Sequence, residues 1–393
     1  MKRDQSRTFQ YINIGGEGRS YFCLQQNPLM FAWLLYFKED TLNLIFYPWL
    51  KNPLQRWSFG YCRARFLLFF ATLKTLIFFI CCRHNLRTID MVVELPLYGQ
   101  ICIPVHKGYK IFDFHRGVVA KVFDLDVNTS SILTEINGLQ KVSPIDFAPS
   151  IKRWNIEERW YEEEYVSSTS VESSHRLPDS GIFLKKFQED IVPRLNSLIL
   201  WQKTMTDDST GYSKKLLEIV EVSGLSKRDS TVREFNTIQC FLDSVIRRLR
   251  EEGNCDVQLV FTHGDFCPAN MLNTRHGIRI IDWENAKYRS ALFDFYSYFF
   301  HRSCFMNIPV IQLVAEIKKA LPFVTSSLSK KTPTISNSLR QLENVYRWIY
   351  YIEKIGLEVD REMTDKNLNI LEIIIQYIEV FNRYEEILAG NTE

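Results

Sequence analysis

The stretch Phe261 to Asp294, FTHGDFCPANMLNTRHGIRIIDWENAKYRSALFD, restricts what this chain can fold into more than any other. His263-Gly264-Asp265 is followed by Asn270. The apolar run Ile278-Arg279-Ile280-Ile281 then leads into Asp282-Trp283-Glu284, and Asp294 comes later. Gly, Asp, Pro and Asn are what loops contain anyway, so HGD alone decides nothing. The ordered series of Asp265, Pro268, Asn270, an apolar strand and Asp-Trp-Glu is far more specific. Acids and an amide at this spacing suit phosphoryl transfer. That reaction needs a base or positioner for the attacking hydroxyl and oxygen ligands for Mg²⁺ on the phosphates. On that chemistry Asp265 takes the first role, and Asn270 and Asp282 take the second.

The string resembles the aminoglycoside phosphotransferase and choline kinase family, with its HGDxxxxN pattern, a strand ending in IDWE or IDFE, and a further Asp. His263, Gly264, Asp265, Asn270, Ile281, Asp282, Trp283, Glu284 and Asp294 carry the match. Cys267 departs from it, since the family often has His there. The resemblance implies a two-lobed, protein-kinase-like α+β fold, with a small antiparallel β-sheet N-lobe and a mainly helical C-lobe. It also implies ATP and Mg²⁺ as cofactors, and Asp294 bracing the catalytic loop through backbone groups or His263. It reaches from about Leu95 to the C-terminus and does not cover the first 95 residues.

The chain has 393 residues, 46% hydrophobic and 14% aromatic, which is globular composition with enough length for two or three lobes. A net charge of +2 predicts no bulk affinity for nucleic acid. Nine scattered cysteines without a CxxC pair fit free thiols in a reducing compartment. The polar start MKRDQSRTFQYINIGG lacks the apolar core of a signal peptide, so the expected location is the cytoplasm.

Three segments are expected: an N-terminal extension over 1–95, a nucleotide-binding lobe over 96–172 and a helical catalytic lobe over 173–393. In the extension, Gly15-Gly16-Glu17-Gly18 lacks the GxxxxGK[ST] form of a phosphate loop. Thr41 to Ile89 contains no Asp or Glu, but it holds Lys51, Arg56, Arg63, Arg65, Lys74, Arg83 and Arg87 around the apolar run Phe66 to Cys82. That run is short for a membrane span, with Lys74 in its middle. It reads either as a helix buried on the lobe or as one lying at a membrane interface, the latter giving peripheral membrane contact through 51–87.

From Leu95 to Phe123 the pattern is three strands with turns at Lys107-Gly108 and Arg116-Gly117. In the resemblance, the first hairpin, with Gly108, covers the nucleotide phosphates, and the third strand carries a lysine, here Lys121. A Lys among apolar strand residues is costly unless it meets phosphate or carboxylate. The resemblance supplies a helix glutamate for it, Glu135. Pro149–Trp154 and Trp160–Val166 would complete the sheet, with Glu164 to Val166 as the hinge whose backbone reads the adenine edge. A Ser/Thr-rich run, Ser167 to Ser174, marks the lobe boundary.

Beyond it, Phe183–Lys203, a Ser230-capped stripe from Val232 to Leu249, Ile311–Ala320, Asn344–Ile355 and Asn367–Leu388 have helical periodicity. The aromatics Tyr296, Tyr298, Phe299, Phe300, Tyr346, Trp348 and Tyr350 suit core packing better than sugar stacking. No Ala-Pro-Glu segment follows Asp282, which argues against a protein substrate. The expected partner is a small-molecule hydroxyl acceptor, such as a sugar or lipid-linked sugar, and oligomeric state is open. The alternatives are a catalytically inactive kinase-like binding protein and a membrane-associated scaffold.

Overall fold

The computed structural model describes residues 7–13, 21–23, 91–95, 97–105, 107–167, 180–201, 205–222, 232–329, 332–362 and 370–390. They fall into two compact units. The first lies between Met1 and Glu172 and includes Leu272–Arg279. The second comprises the rest from Ser173 onward.

The first unit is built on an antiparallel eight-stranded sheet. Its strands are β1 Arg7–Asn13, β2 Tyr21–Cys23, β3 Met91–Leu95, β4 Ile101–Val105, β5 Gly108–Asp113, β6 Val118–Phe123, β7 Ile151–Asn155 and β8 Trp160–Glu164. The order across the sheet is β3-β1-β2-β4-β5-β6-β8-β7. Strands β4 to β8 follow the alternation of apolar runs and turns in the sequence. Strands β1 to β3 come from the first 95 residues, so the sheet draws on that segment and no unit boundary falls at 95/96. Within the run expected over Leu95 to His106, β4 occupies Ile101–Val105, and Leu95 is the last residue of β3. Between them Gln100 is fully buried: its side-chain Oε1 accepts from Phe114 N at 2.8 Å, and its carbonyl accepts from Cys23 N at 3.1 Å. Those bonds hold Gln100 at the start of β4 against β2 and the end of β5.

Cys23, Leu97, Cys102, Ile111, Ala120, Val122 and Trp160 form this unit's apolar core. Helix α1, Thr129–Val142, packs its buried Ile132, Ile136, Leu139 and Val142 inward. Asn128 caps it by accepting from Ser130 N at 2.9 Å. Residues 41–89, Gly15 to Gly18 and Ser230 lie outside the described residues, and so do the expectations placed on them. Among the described residues, no helix is long and apolar enough to cross a membrane.

The second unit is mainly helical around a three-stranded antiparallel sheet, β9 Met205–Asp208, β10 Asp256–Thr262 and β13 Lys287–Ser290, with β10 in the middle. Between β10 and β13 in sequence, the hairpin β11 Met271–Thr274 and β12 Gly277–Ile280 belongs for the most part to the first unit. Helix α2, Phe293–Met306, is buried nearly all round, as its continuous aromatic run demands. Tyr296, Phe299, Phe300, Tyr346 and Tyr350 are fully enclosed, and Tyr298 and Trp348 are nearly so. Phe300 stacks on Tyr350 at 5.6 Å and meets Phe381 edge-on at 4.9 Å, so these rings are core. The helical run Ser180–Trp201 changes to π geometry at Phe187–Ile191, just before Pro193. The extra residue absorbs the proline that an unbroken helix would not accept.

Candidate active site

Strand β10 is apolar and buried, and it delivers Thr262-His263-Gly264-Asp265 at its C-terminal end. Gly264 has φ +86°. A Cβ there would meet the Asn285 carbonyl oxygen at 2.4 Å and Arg289 Nη1 at 2.8 Å, so only glycine fits. Asp294, in the first turn of α2, turns its carboxylate back on this loop. Its Oδ2 accepts from His263 N at 2.7 Å and its Oδ1 from Gly264 N at 3.1 Å. Burial pushes the Asp294 carboxyl upward in pKa, while His263, the two N–H bonds and Arg289 work the other way.

The fully buried His263 is a spacer with a fixed tautomer. Its Nδ1 accepts from Asp265 N at 3.1 Å, which leaves the proton on Nε2, 2.9 Å from the Ile281 carbonyl. Trp283 packs edge-on against the ring at 4.6 Å. Asn270 closes the loop from the far side. Its Nδ2 donates to the Asp265 carbonyl at 2.9 Å and to Asp265 Oδ2 at 3.2 Å. With the amide nitrogen spent there, Asn270 Oδ1 is the atom left for a cation.

Ile281 ties the last expected ligand to the same loop. Its N–H donates to the Asn270 carbonyl at 2.9 Å, and its own carbonyl takes the His263 proton. Asp282 follows directly, in left-handed backbone conformation at φ 69° and ψ 58°. An Asp held there is an unusual local state, of order 1–3 kcal/mol in cost, and such states gather at functional sites. Asp265, Asn270 and Asp282 are half-buried, whereas His263 and Asp294 are enclosed. The hydrogen bonds thus join His263, Asp265, Asn270 and Asp294, with Asp282 fixed through Ile281.

The first unit carries the remaining candidates. Strand β6 is buried along its whole length, including Lys121, which is 1% exposed. Lys121 Nζ lies 2.7 Å from Glu135 Oε1 on α1, and Tyr161 hydroxyl donates to the same oxygen at 2.8 Å. A lone charge could not stay in such a place. Gly108 has φ +146°, and a Cβ would lie 2.0 Å from the Val122 carbonyl oxygen. Close approach of β6 accounts for the glycine.

At the end of β8, the Glu164 side chain takes Arg279 Nη2 at 3.0 Å and Ser150 Oγ at 3.2 Å. Burial raises its pKa, but the Arg279 and Ser150 bonds outweigh it and hold the carboxyl below its ordinary value. The Glu164 and Tyr165 N–H groups are spent on the Ser150 and Gly117 carbonyls. Val166 N–H has no backbone partner among the described residues.

Sequence reasoning did not single out Arg289 and His301. Arg289 donates from Nη1 to Thr262 Oγ1 at 2.8 Å and from Nη2 to the Asn285 carbonyl at 2.9 Å, so it frames the wall beside Gly264. Its only signal in sequence is an arginine on the short strand Lys287–Ser290 that follows the motif. His301 stands beside Asp265 and Cys267 and lies outside every motif.

The matched family is decided by the segment around this loop. Residues 203–322 match the phosphotransferase enzyme family. That range contains β10, the catalytic loop, the hairpin and α2, the elements that carry the polar network above. Among solved structures, a choline kinase from Streptococcus pneumoniae shares 15% identity at TM-score 0.46, covering 71% of this chain and 90% of its own. An ethanolamine kinase from Plasmodium vivax shares 13% at TM-score 0.49, covering 80% and 88%. A thermostable mutant of an aminoglycoside phosphotransferase, solved with ADP and hygromycin B, shares 13% at TM-score 0.45, covering 72% and 93%. No curated protein matches the sequence.

Proposed function

We propose that this chain is an ATP-dependent phosphotransferase that phosphorylates a hydroxyl group of a small molecule. The observation that carries the reading is the loop itself. Asp265 is held by its own backbone N–H on His263 and by the Asn270 amide, inside the segment that matches the phosphotransferase enzyme family. A carboxylate fixed in this way can accept a hydrogen bond from an acceptor hydroxyl and aim its oxygen, and can take the proton as the bond to phosphorus forms.

Asn270 Oδ1 and the Asp282 carboxylate are oxygen donors of the kind Mg²⁺ takes. Bound there with ATP, Mg²⁺ would neutralise charge on the transferring phosphoryl group. Lys121, paired with Glu135, would bind nucleotide phosphate, with Gly108 in the hairpin over it. The Glu164–Val166 segment would meet the adenine edge, through Val166 N–H as the donor. His263 and Asp294 hold the loop and touch no reactant. Positioning and charge neutralisation would supply most of the acceleration.

The acceptor class we favour is a sugar or a lipid-linked sugar. The basic apolar sequence of 51–87 supports a membrane-proximal substrate. The test is transfer of ³²P from γ-labelled ATP to polar and lipid fractions of a cell extract, with Asp265→Asn as control. A labelled product formed by the native chain and lost in the variant supports the reading. Mg-ATP binding by thermal shift with no product in any fraction would replace it with the kinase-like binding protein.

A further inference from the structure

Asp265 also belongs to a second set of ligating side chains, whose other two members, Cys267 and His301, the transfer reaction does not use. The ligand atoms of Asp265, Cys267 and His301 all lie within 4.8 Å of one another. Two come from the loop and the third from α2, an element buried on nearly every other face. His301 is steadied by Phe305 at 4.8 Å between ring centroids. Cys267 is 3% exposed, and its carbonyl accepts from Asn270 N at 3.0 Å. Lys354, the nearby cation that acts on this thiol, is itself paired with Glu358 at 2.6 Å.

Thiolate, imidazole and carboxylate together form a donor set for Zn²⁺, whereas Mg²⁺ wants oxygens and keeps its waters. Ligand atoms of a tetrahedral Zn²⁺ with bonds of roughly 2.0–2.3 Å stand closer together than 4.8 Å, so small rotamer shifts would close the set. We propose that Asp265, Cys267 and His301 form a Zn²⁺ site whose occupation takes the Asp265 carboxylate from the acceptor hydroxyl and turns transfer off. Binding stands on the cluster alone, while inhibition rests on the phosphotransferase reading.

The chemistry balances without electron transfer. The Cys267 S–H bond breaks, a Zn–S bond forms, and the proton passes to solvent. The thiolate, not the thiol, is the ligand, so binding at neutral pH releases the Cys267 proton and tightens as pH rises. Three protein ligands leave the fourth position to water.

The experiment uses the full, reduced, metal-free chain. ZnCl₂ is titrated calorimetrically in two buffers of different ionisation heat, and Co²⁺ is added as an optical probe of thiolate coordination. The expected result is one Zn²⁺ per chain on this site, release of a proton, a cobalt–thiolate band, and no displacement by excess Mg²⁺. Loss of even an outer-shell partner costs a metal site roughly 10- to 100-fold, so Cys267→Ser should lose at least about 100-fold and the band with it. His301→Ala should weaken binding in the same direction. It also keeps the test open should melting show that one variant misfolds. Cys240→Ser/Cys255→Ser removes thiols outside the cluster and should bind as the native chain does.

Native affinity in both Cys267→Ser and His301→Ala would overturn the site, as would loss of binding only in Cys240→Ser/Cys255→Ser. Zn²⁺ that binds through Cys267 without slowing turnover would overturn the inhibitory role. If the metal-free chain turns over nothing while Zn²⁺ binds through Cys267, the phosphotransferase reading fails and the site stands.

Discussion

Lys121 lies on a strand buried along its length and is held by one carboxylate, Glu135. Asp265 is half-buried on a loop whose shape is set by other residues: Asp294 on the backbone of His263 and Gly264, His263 on Ile281, and Asn270 on Asp265 itself. In the first unit the functional group is also a structural charge, so removing its partner strands a buried ion. In the second unit the carboxylate proposed as reactive, Asp265, is distinct from Asp294 and His263, which shape its loop. Changing Asp265 is expected to affect folding less than changing Asp294 or Gly264. The contrast shows where activity and stability should separate on mutation, and where they should fall together.

The largest expected effect is on rate alone. Asp265→Asn should lower turnover by roughly 10²- to 10⁴-fold, the usual share of a general base, with the melting temperature and nucleotide affinity close to native. A variant that melts much earlier would break the separation between reactive group and scaffold. The next largest is on stability. Glu135→Gln leaves Lys121 buried without its counter-charge and should cost about 3–5 kcal/mol in denaturant unfolding. The double change Lys121→Met/Glu135→Leu should recover much of that loss while nucleotide binding stays impaired. A double variant as unstable as the single would mean the pair is more than a charge held in a dry place.

Gly264→Ala sharpens the other side. The left-handed backbone and the Asn285 oxygen at 2.4 Å oppose a Cβ, so about 1–3 kcal/mol of stability should go. Activity should fall with it, as both readouts follow loop shape. The smallest effect concerns Glu162, which is bound by Arg116 and Arg153. Burial raises its pKa, but the two guanidinium groups outweigh it and hold the carboxyl below its ordinary value. Because the folded value is the lower one, its contribution is fully present above the unfolded carboxylate value. It disappears as pH falls through the folded value. The native chain should lose stability over that acid range, and Glu162→Gln should show a shallower slope. Both arginines are about half exposed, so added salt should shrink the difference.

The catalytic loop and most of the sheet were legible in the sequence because their signals are local. Turn residues, apolar alternation and a spaced set of acids all act within a few residues of chain, and β4 to β8 and β10 follow them closely. The pairing of Lys121 with Glu135 was legible only through the family resemblance. The joining of β1 to β3 to the same sheet was not legible, since strand partners across long separations leave no mark on either segment. Arg289 and His301 were invisible for the same reason, as their partners lie elsewhere in the chain.

For Phe261 to Asp294, the sequence by itself determined which groups are present and in what order: a carboxylate, an amide, a strand and a second carboxylate. Covalent spacing is enough to name that chemistry. Only the tertiary structure decided that Asp294 spends both oxygens on loop N–H groups, that His263 carries its proton on Nε2, and that Cys267 and His301 flank the reactive carboxylate. Those outcomes depend on how a buried helix packs against a loop, and burial leaves polar groups no partners except the ones packing brings.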